Sequence, residues 1–268
     1  MIQYMKVGFL LSMLFLVPSV SYGQYPVFGD ERRPKGNISS FMESCYDTSQ
    51  GEKVLVSKNK FNYDQKGILI ERIVYDTIDS AKVNQKVSYI YEDGELFEEV
   101  GQTYRIRYAY DERGKKLAEK YTSADVNYLK RYEYNILGQV IKLINYSSEG
   151  RLLYSESFKY DEQKVLLKFT HTVPDSTNKS YQAIYSSDVK GKRLSERVYA
   201  PNGYILYTSK FAYDSENQLM EEVRYNYSGA FDFKKSFKYV YDKTGNWTSL
   251  INKNKTSSYV TIREIQYN

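Results

Sequence analysis

The stretch that decides the fold is FAYDSENQLMEEVRYNYSGAFDFKKSFKYVYDKTGNWTSL, residues 211–250, in which the phrase aromatic-x-Tyr-Asp stands at 211–214 and again at 239–242. Between the two phrases the residues alternate apolar and polar, as in Leu219-x-Glu221-x-Val223-x-Tyr225, and period two is the signature of a strand. The same phrase recurs at Phe61-Asn62-Tyr63-Asp64, Tyr89-Ile90-Tyr91-Glu92, Tyr108-Ala109-Tyr110-Asp111, Tyr132-Glu133-Tyr134-Asn135 and Phe158-Lys159-Tyr160-Asp161. A variant stands at Tyr185-Ser186-Ser187-Asp188 and a weaker copy at Ser44-Cys45-Tyr46-Asp47. Self-similarity at a period of roughly 25 residues marks a repeat architecture.

Each phrase ends in a turn. In Asp64-Gln65-Lys66-Gly67, Asp111-Glu112-Arg113-Gly114 and Asp242-Lys243-Thr244-Gly245, Asp takes the first turn position and Gly the fourth. That is the preference of a type I turn followed by a left-handed residue. Asn217 can replace the glycine; Lys164 in the same slot is an exception. A second turn follows each outgoing segment, as at Tyr146–Gly150 and Tyr199–Gly203, so each unit is two strands and two turns.

The phrase Tyr-Asp-x-x-Gly-x-aliphatic, best copied at 241–247, resembles the YD (RHS-type) repeat of exported bacterial proteins over roughly residues 38 to 251. The resemblance implies a β-sheet spiral. Large members wrap a C-terminal toxin, whereas this chain, ending at Asn268, is closer to short stand-alone members. The expected fold is therefore all-β: an antiparallel meander of about 16–18 strands curled into a spiral or solenoid-like sheet, because so many strands cannot stay flat. Within each phrase the two aromatics share one face, expected to be the buried one, and the residue between them faces solvent. A transmembrane barrel is disfavoured by Arg107, Glu133, Lys159 and Lys238, which fall where lipid would lie.

The first residues read as a signal peptide over 1–23, with Lys6, an apolar run and Ser21 before a cleavage site after Gly23; a linker over 24–37 and one repeat domain over 38–268 follow. The expected location is periplasmic, cell-surface or secreted, with no transmembrane segment in the mature chain. The single cysteine, Cys45, excludes an internal disulfide, and its slot between two aromatic positions directs it away from the aromatic face. The balance of 38 basic against 33 acidic residues is too mild to imply nucleic acid.

Candidate chemistry is sparse. His171 is the only histidine, so metal sites and triads lack partners, and it reads as a strand-end surface residue. No catalytic, cofactor or metal residue is expected. Glu71, Glu98, Glu119, Glu196 and Glu221 read as one recurring strand slot, whose expected role is pairing with basic residues on neighbouring strands. Trp247 is the aromatic most expected to be exposed and to touch a ligand. Thr77 and Ser80 resemble bacterial O-glycosylation acceptors, and the Asp and Gly residues of the turns are structural. The function expected is a non-enzymatic exported interaction surface for a protein or glycan, with a carbohydrate-binding module or carbohydrate-active enzyme as the alternative.

Overall fold

The computed structural model describes residues 34–215 and 217–268; the signal peptide expected over 1–23 and most of the linker expected over 24–37 lie outside them. The strands in order are β1 (Ile38–Asp47), β2 (Val54–Tyr63), β3 (Leu69–Tyr75), β4 (Val83–Glu92), β5 (Glu95–Val100), β6 (Tyr104–Tyr110), β7 (Lys116–Ser123), β8 (Asn127–Tyr134) and β9 (Val140–Ser147). Then follow β10 (Leu152–Tyr160), β11 (Leu166–Thr172), β12 (Tyr181–Ser187), β13 (Arg193–Tyr199), β14 (Ile205–Tyr213), β15 (Leu219–Asn226), β16 (Phe231–Tyr241), β17 (Trp247–Lys253) and β18 (Ser258–Tyr267). Each strand pairs antiparallel with the next, and β1 also pairs with β18 from Ile38↔Tyr267 to Asp47↔Tyr259. The meander is thus a closed 18-stranded barrel. This corrects the open spiral: a right-handed twist accumulated over so many strands brings the last beside the first, and pairing them removes both exposed edges.

The turns set the repeat. In the hairpin at residues 111–115, Asp111 N–H donates to Lys115 O and Gly114 N–H to Asp111 O, while Asp111 Oδ1 accepts from the amides of Arg113 and Lys115. Asp64 and Asp242 do the same in their turns. The fourth residue is left-handed, with φ of 76° at Gly67, 73° at Gly114 and 77° at Gly245; Asn217 and Lys164 adopt that conformation as well.

Just beyond every such turn the register shifts by one. Ala109 faces Ala118 but Tyr110 faces Lys116, so Leu117 is an extra residue on the outgoing strand. Such bulges occur at the corresponding place in all eight aromatic hairpins. A bulge leaves part of the ladder unpaired. The second tyrosine of the phrase meets that need, because Tyr110 Oη donates to Leu96 O, Tyr134 Oη to Lys116 O and Tyr160 Oη to Val140 O, each carbonyl lying beside the bulge of the preceding unit. Phenylalanine would fill the same space but could not donate.

Both aromatics of each phrase point into the barrel, and the residue between them, such as Ala109 or Lys159, faces out and is exposed. The inner wall has two buried apolar clusters: Ile38, Phe41 and Phe61 near the closing seam, and Leu219, Phe237 and Leu250 against Trp247. Phe41 is 1% exposed and stacks on Phe61 with centroids 4.6 Å apart. Most other inward side chains are only half-buried, consistent with a barrel too wide for side chains alone to fill. The seam is further tied by Ser40 Oγ donating to Gln266 Oε1 (2.7 Å) and by Asn246 Nδ2 donating to Lys35 O (2.9 Å).

Cys45 corrects a second expectation. β1 alternates without interruption from Ser40 to Asp47 against β18, and Phe41, Glu43 and Cys45 all face inward. The segment at 44–47 therefore lies out of phase with the other phrases. Burial pushes the Cys45 thiol above its ordinary pKa, opposed by a hydrogen bond with Thr261.

Candidate functional site

Because the bulge resets the alternation, the fifth residue after each left-handed turn residue points inward, opposite the first aromatic of its phrase. These residues are Arg72, Glu99, Glu119, Leu143, Phe169, Glu196, Glu222 and Leu250, facing Phe61, Tyr89, Tyr108, Tyr132, Phe158, Tyr185, Phe211 and Tyr239. Four carboxylates and one guanidinium occupy a slot that is otherwise apolar. Glu71, Glu98 and Glu221 lie in the outward slot instead, paired with Lys86, with Arg105 and Arg107, and with Lys234. The single recurring glutamate slot read from the sequence is therefore two slots on opposite faces.

Two polar rows cross the inner wall. The first runs Tyr108–Glu119–Lys130–Asn145–Tyr154 across β6 to β10, each residue directly opposite the next. Glu119, 8% exposed, receives Lys130 Nζ at 2.6 Å, Tyr132 Oη at 2.9 Å and Lys116 Nζ at 3.4 Å. Burial alone would raise its pKa, but the two lysines and the phenol outweigh it and hold the carboxyl below its ordinary value. Burial lowers Lys116 against the pull of Glu119. Asn145 is 5% exposed, and its Oδ1 has no hydrogen-bond donor among the described residues. Beside this row Tyr104, Tyr121 and Tyr128 stack in series, with centroids 5.6 and 4.8 Å apart. Burial pushes the Tyr128 phenol up to about 12, and Tyr89 likewise to about 12.

The second row runs Tyr185–Glu196–Ser209–Arg224–Phe233 across β12 to β16. Arg193 lies 3.9 Å over the Tyr185 ring and Arg224 4.0 Å over Tyr207, arrangements in which the ring quadrupole attracts the cation. Tyr207 Oη donates to Glu196 Oε1, and Ser209 Oγ to Glu222 Oε1. Desolvation raises the Glu196 pKa, which Arg193, Tyr207 and Arg224 only partly counter. Both rows have the same composition: an aromatic at each end, and between them a carboxylate, a cation and a neutral hydrogen-bonding side chain.

His171 is not a surface residue. It faces Glu156, with Nδ1 3.3 Å from Oε1, and lies between the rings of Tyr154 and Tyr181 on the inner wall. Trp247 is half-buried on that wall, with the Arg263 guanidinium 3.5 Å over its ring. Thr77 and Ser80 are exposed in the β3–β4 connection, where Asp76 Oδ1 accepts the amides of Ile78 and Asp79. No group of ligating side chains suited to a metal ion occurs among the described residues. No helix among them is long and apolar enough to cross a membrane.

Sequence reasoning missed Arg72, Glu99, Lys130, Asn145, Glu222 and Arg224. Counting from the left-handed turn residue, instead of from the aromatics, would have aligned all of them but Lys130, which precedes its turn and is in phase with Tyr132 and Tyr134.

No family model matches the chain, and no curated protein does. Among solved structures it is similar to a porin-like protein from Bacteroides uniformis, with 12% identity and a TM-score of 0.50, over 87% of this chain and 98% of the other. A porin-like protein from Bacteroides vulgatus aligns at 12% identity and a TM-score of 0.36, over 87% and 99%. The TcdB2-TccC3 fusion aligns at 16% identity and a TM-score of 0.30, over 82% of this chain and 14% of that one. The chain shares a barrel fold with the first of these.

Proposed function

We propose that this protein is a non-enzymatic binding barrel of the bacterial cell envelope or exterior, and that the inner wall is its interaction surface, for a glycan. The row Tyr108–Glu119–Lys130–Asn145–Tyr154 carries the reading. Tyrosine rings offer apolar faces for stacking with a polar edge, while carboxylate, ammonium and amide between them suit a ligand dense in hydroxyls. Asn145 Oδ1 is an acceptor with capacity to spare. The signal-peptide reading, the YD-type repeat and the porin-like name of the B. uniformis neighbour support the location.

The outer wall supports binding over lipid-spanning pore formation. A membrane barrel needs an outward apolar band along its strands, and here Lys60, Lys86, Arg107, Arg131, Lys210 and Lys238 interrupt it at mid-strand. The test is a glycan array with purified exported protein, followed by titration of the best ligand against Tyr121→Ala and Asn145→Ala, with the outward Ala109→Ser as control. Both inward variants should lose affinity while the control keeps it. Absence of any glycan ligand, or ion conductance in planar bilayers, would overturn the proposal.

A further inference from the structure

The charge that is evenly interleaved along the sequence is sorted by the fold. The outward residues of β10 to β14 are Ser155, Ser157, Lys159, Lys168, Thr170, Gln182, Ile184, Ser186, Ser195, Arg197, Thr208, Lys210 and their neighbours, with no acid among them. The acids of these strands, Glu156 and Glu196, point inward.

Within this arc the cations are aligned. Lys159, Lys168, Ile184, Arg197 and Thr208 stand directly opposite one another on successive strands, with Lys210 next along β14. At about 4.8 Å per strand, Lys159 and Arg197 lie about 14 Å apart around the wall. Like charges directly opposed across a ladder are destabilising, and Lys159 faces Lys168. Elsewhere several outward cations have carboxylate partners: Lys86 has Glu71, Lys142 has Glu133, Lys234 has Glu221, and Arg107, which faces Lys120, has Glu98; Lys60, Lys120, Arg131 and Lys238 make no ion pair among the described residues, but none of them faces another cation that is itself unpaired. None of the four arc cations makes an ion pair among the described residues; Lys210 lies only over the Tyr225 ring. The nearby turn acids Asp161 and Asp188 each accept backbone amides of their own turns.

We infer that this arc of the outer wall is a docking surface for an anionic polysaccharide. A row of cations across strands matches a chain bearing regularly spaced carboxylate, sulfate or phosphate groups. The flanking hydroxyls and the Gln182 amide match its sugar hydroxyls, a complement that a lipid headgroup layer would use less. The surface is distinct from the inner wall, so the two sites can be tested separately.

The probe is polygalacturonate oligomers titrated calorimetrically into the full exported protein, with neutral dextran as comparator. Charge removal at the arc (Lys159→Gln, Lys168→Gln, Arg197→Gln and Lys210→Gln together) should weaken binding by about tenfold or more. The same charge removed from paired cations (Lys86→Gln, Arg107→Gln, Lys142→Gln and Lys234→Gln) should change it by less than about threefold. Lys168→Gln alone should raise the melting temperature by relieving the facing charge, a readout that needs no ligand. Equal losses in the two sets would show a net-charge effect and overturn the inference. So would absence of polygalacturonate binding, or tighter binding to phosphatidylglycerol vesicles or single-stranded DNA.

Discussion

Glu119→Gln changes one charge at the centre of the first inner row while keeping the shape of the side chain. At an effective dielectric near 20, the contacts at 2.6 and 3.4 Å to Lys130 and Lys116 are worth roughly 6 and 5 kcal/mol gross. Desolvation of all three groups consumes much of that. Removing one partner of a buried pair typically costs about 3–5 kcal/mol. The two lysines keep 22% and 28% of their side-chain exposure, so solvent screening brings the expected loss to about 2–3 kcal/mol. The sign in pH follows from the lowered carboxyl: its contribution is fully present above the ordinary carboxylate pKa and is lost as pH falls through the depressed folded value. Urea unfolding followed by circular dichroism from pH 7 down to pH 3 measures both effects. The wild type should lose stability across that acid range, and the variant should lose less of it. A cost below about 0.5 kcal/mol at pH 7, with an unchanged acid slope, would show that water screens the row and that it is not a preorganised site.

Tyr134→Phe removes the hydroxyl that serves Lys116 O and should cost about 1 kcal/mol by chemical denaturation, with Tyr110→Phe and Tyr160→Phe alike. Cys45 should react with a bulky thiol reagent much more slowly than after unfolding, because it is inward and burial raises its pKa; equal rates would put it on the outer face. Gly114→Ala should destabilise by about 1–2 kcal/mol, since the left-handed backbone disfavours a Cβ and that Cβ would lie 2.6 Å from Glu95 Oε1, which must move. In a spectrophotometric titration, inward phenols such as Tyr89 and Tyr128 should ionise only near pH 12, and full ionisation by pH 11 without unfolding would contradict their burial.

The meander was legible because aromatic-x-Tyr-Asp and the turn glycines recur with enough regularity to fix each hairpin. Closure was not, because nothing within a unit says whether strand 18 meets strand 1; that depends on accumulated twist and on contacts such as Glu43 with Arg263. The inner site was obscured by one residue per hairpin. A strict period of two places Leu117 and Glu119 in the slots of Leu69 and Glu71, whereas the bulge puts Glu119 in the slot of Arg72. Trp247 misled for a related reason: its position beside the last turn suggested exposure, but two residues past the left-handed Gly245 the chain points inward, under Arg263. Sorting of charge between the two walls likewise escapes composition, because it lives in the pleat.

The seam between β1 and β18 has a consequence for the order of assembly. Every other ladder joins strands adjacent in the chain and can form as soon as a hairpin is complete, whereas the ion pair of Glu43 with Arg263 joins residues 220 positions apart. Bringing such distant segments together carries a loop entropy of about 5 kcal/mol in an unstructured chain. The local hairpins must discharge most of that cost beforehand by curling the growing sheet. Until β18 seats, two strands keep open edges able to recruit a strand from another molecule. During that interval the chain is exposed to mispairing with its own copies, and the last hairpin, through Tyr267 and Arg263, ends it.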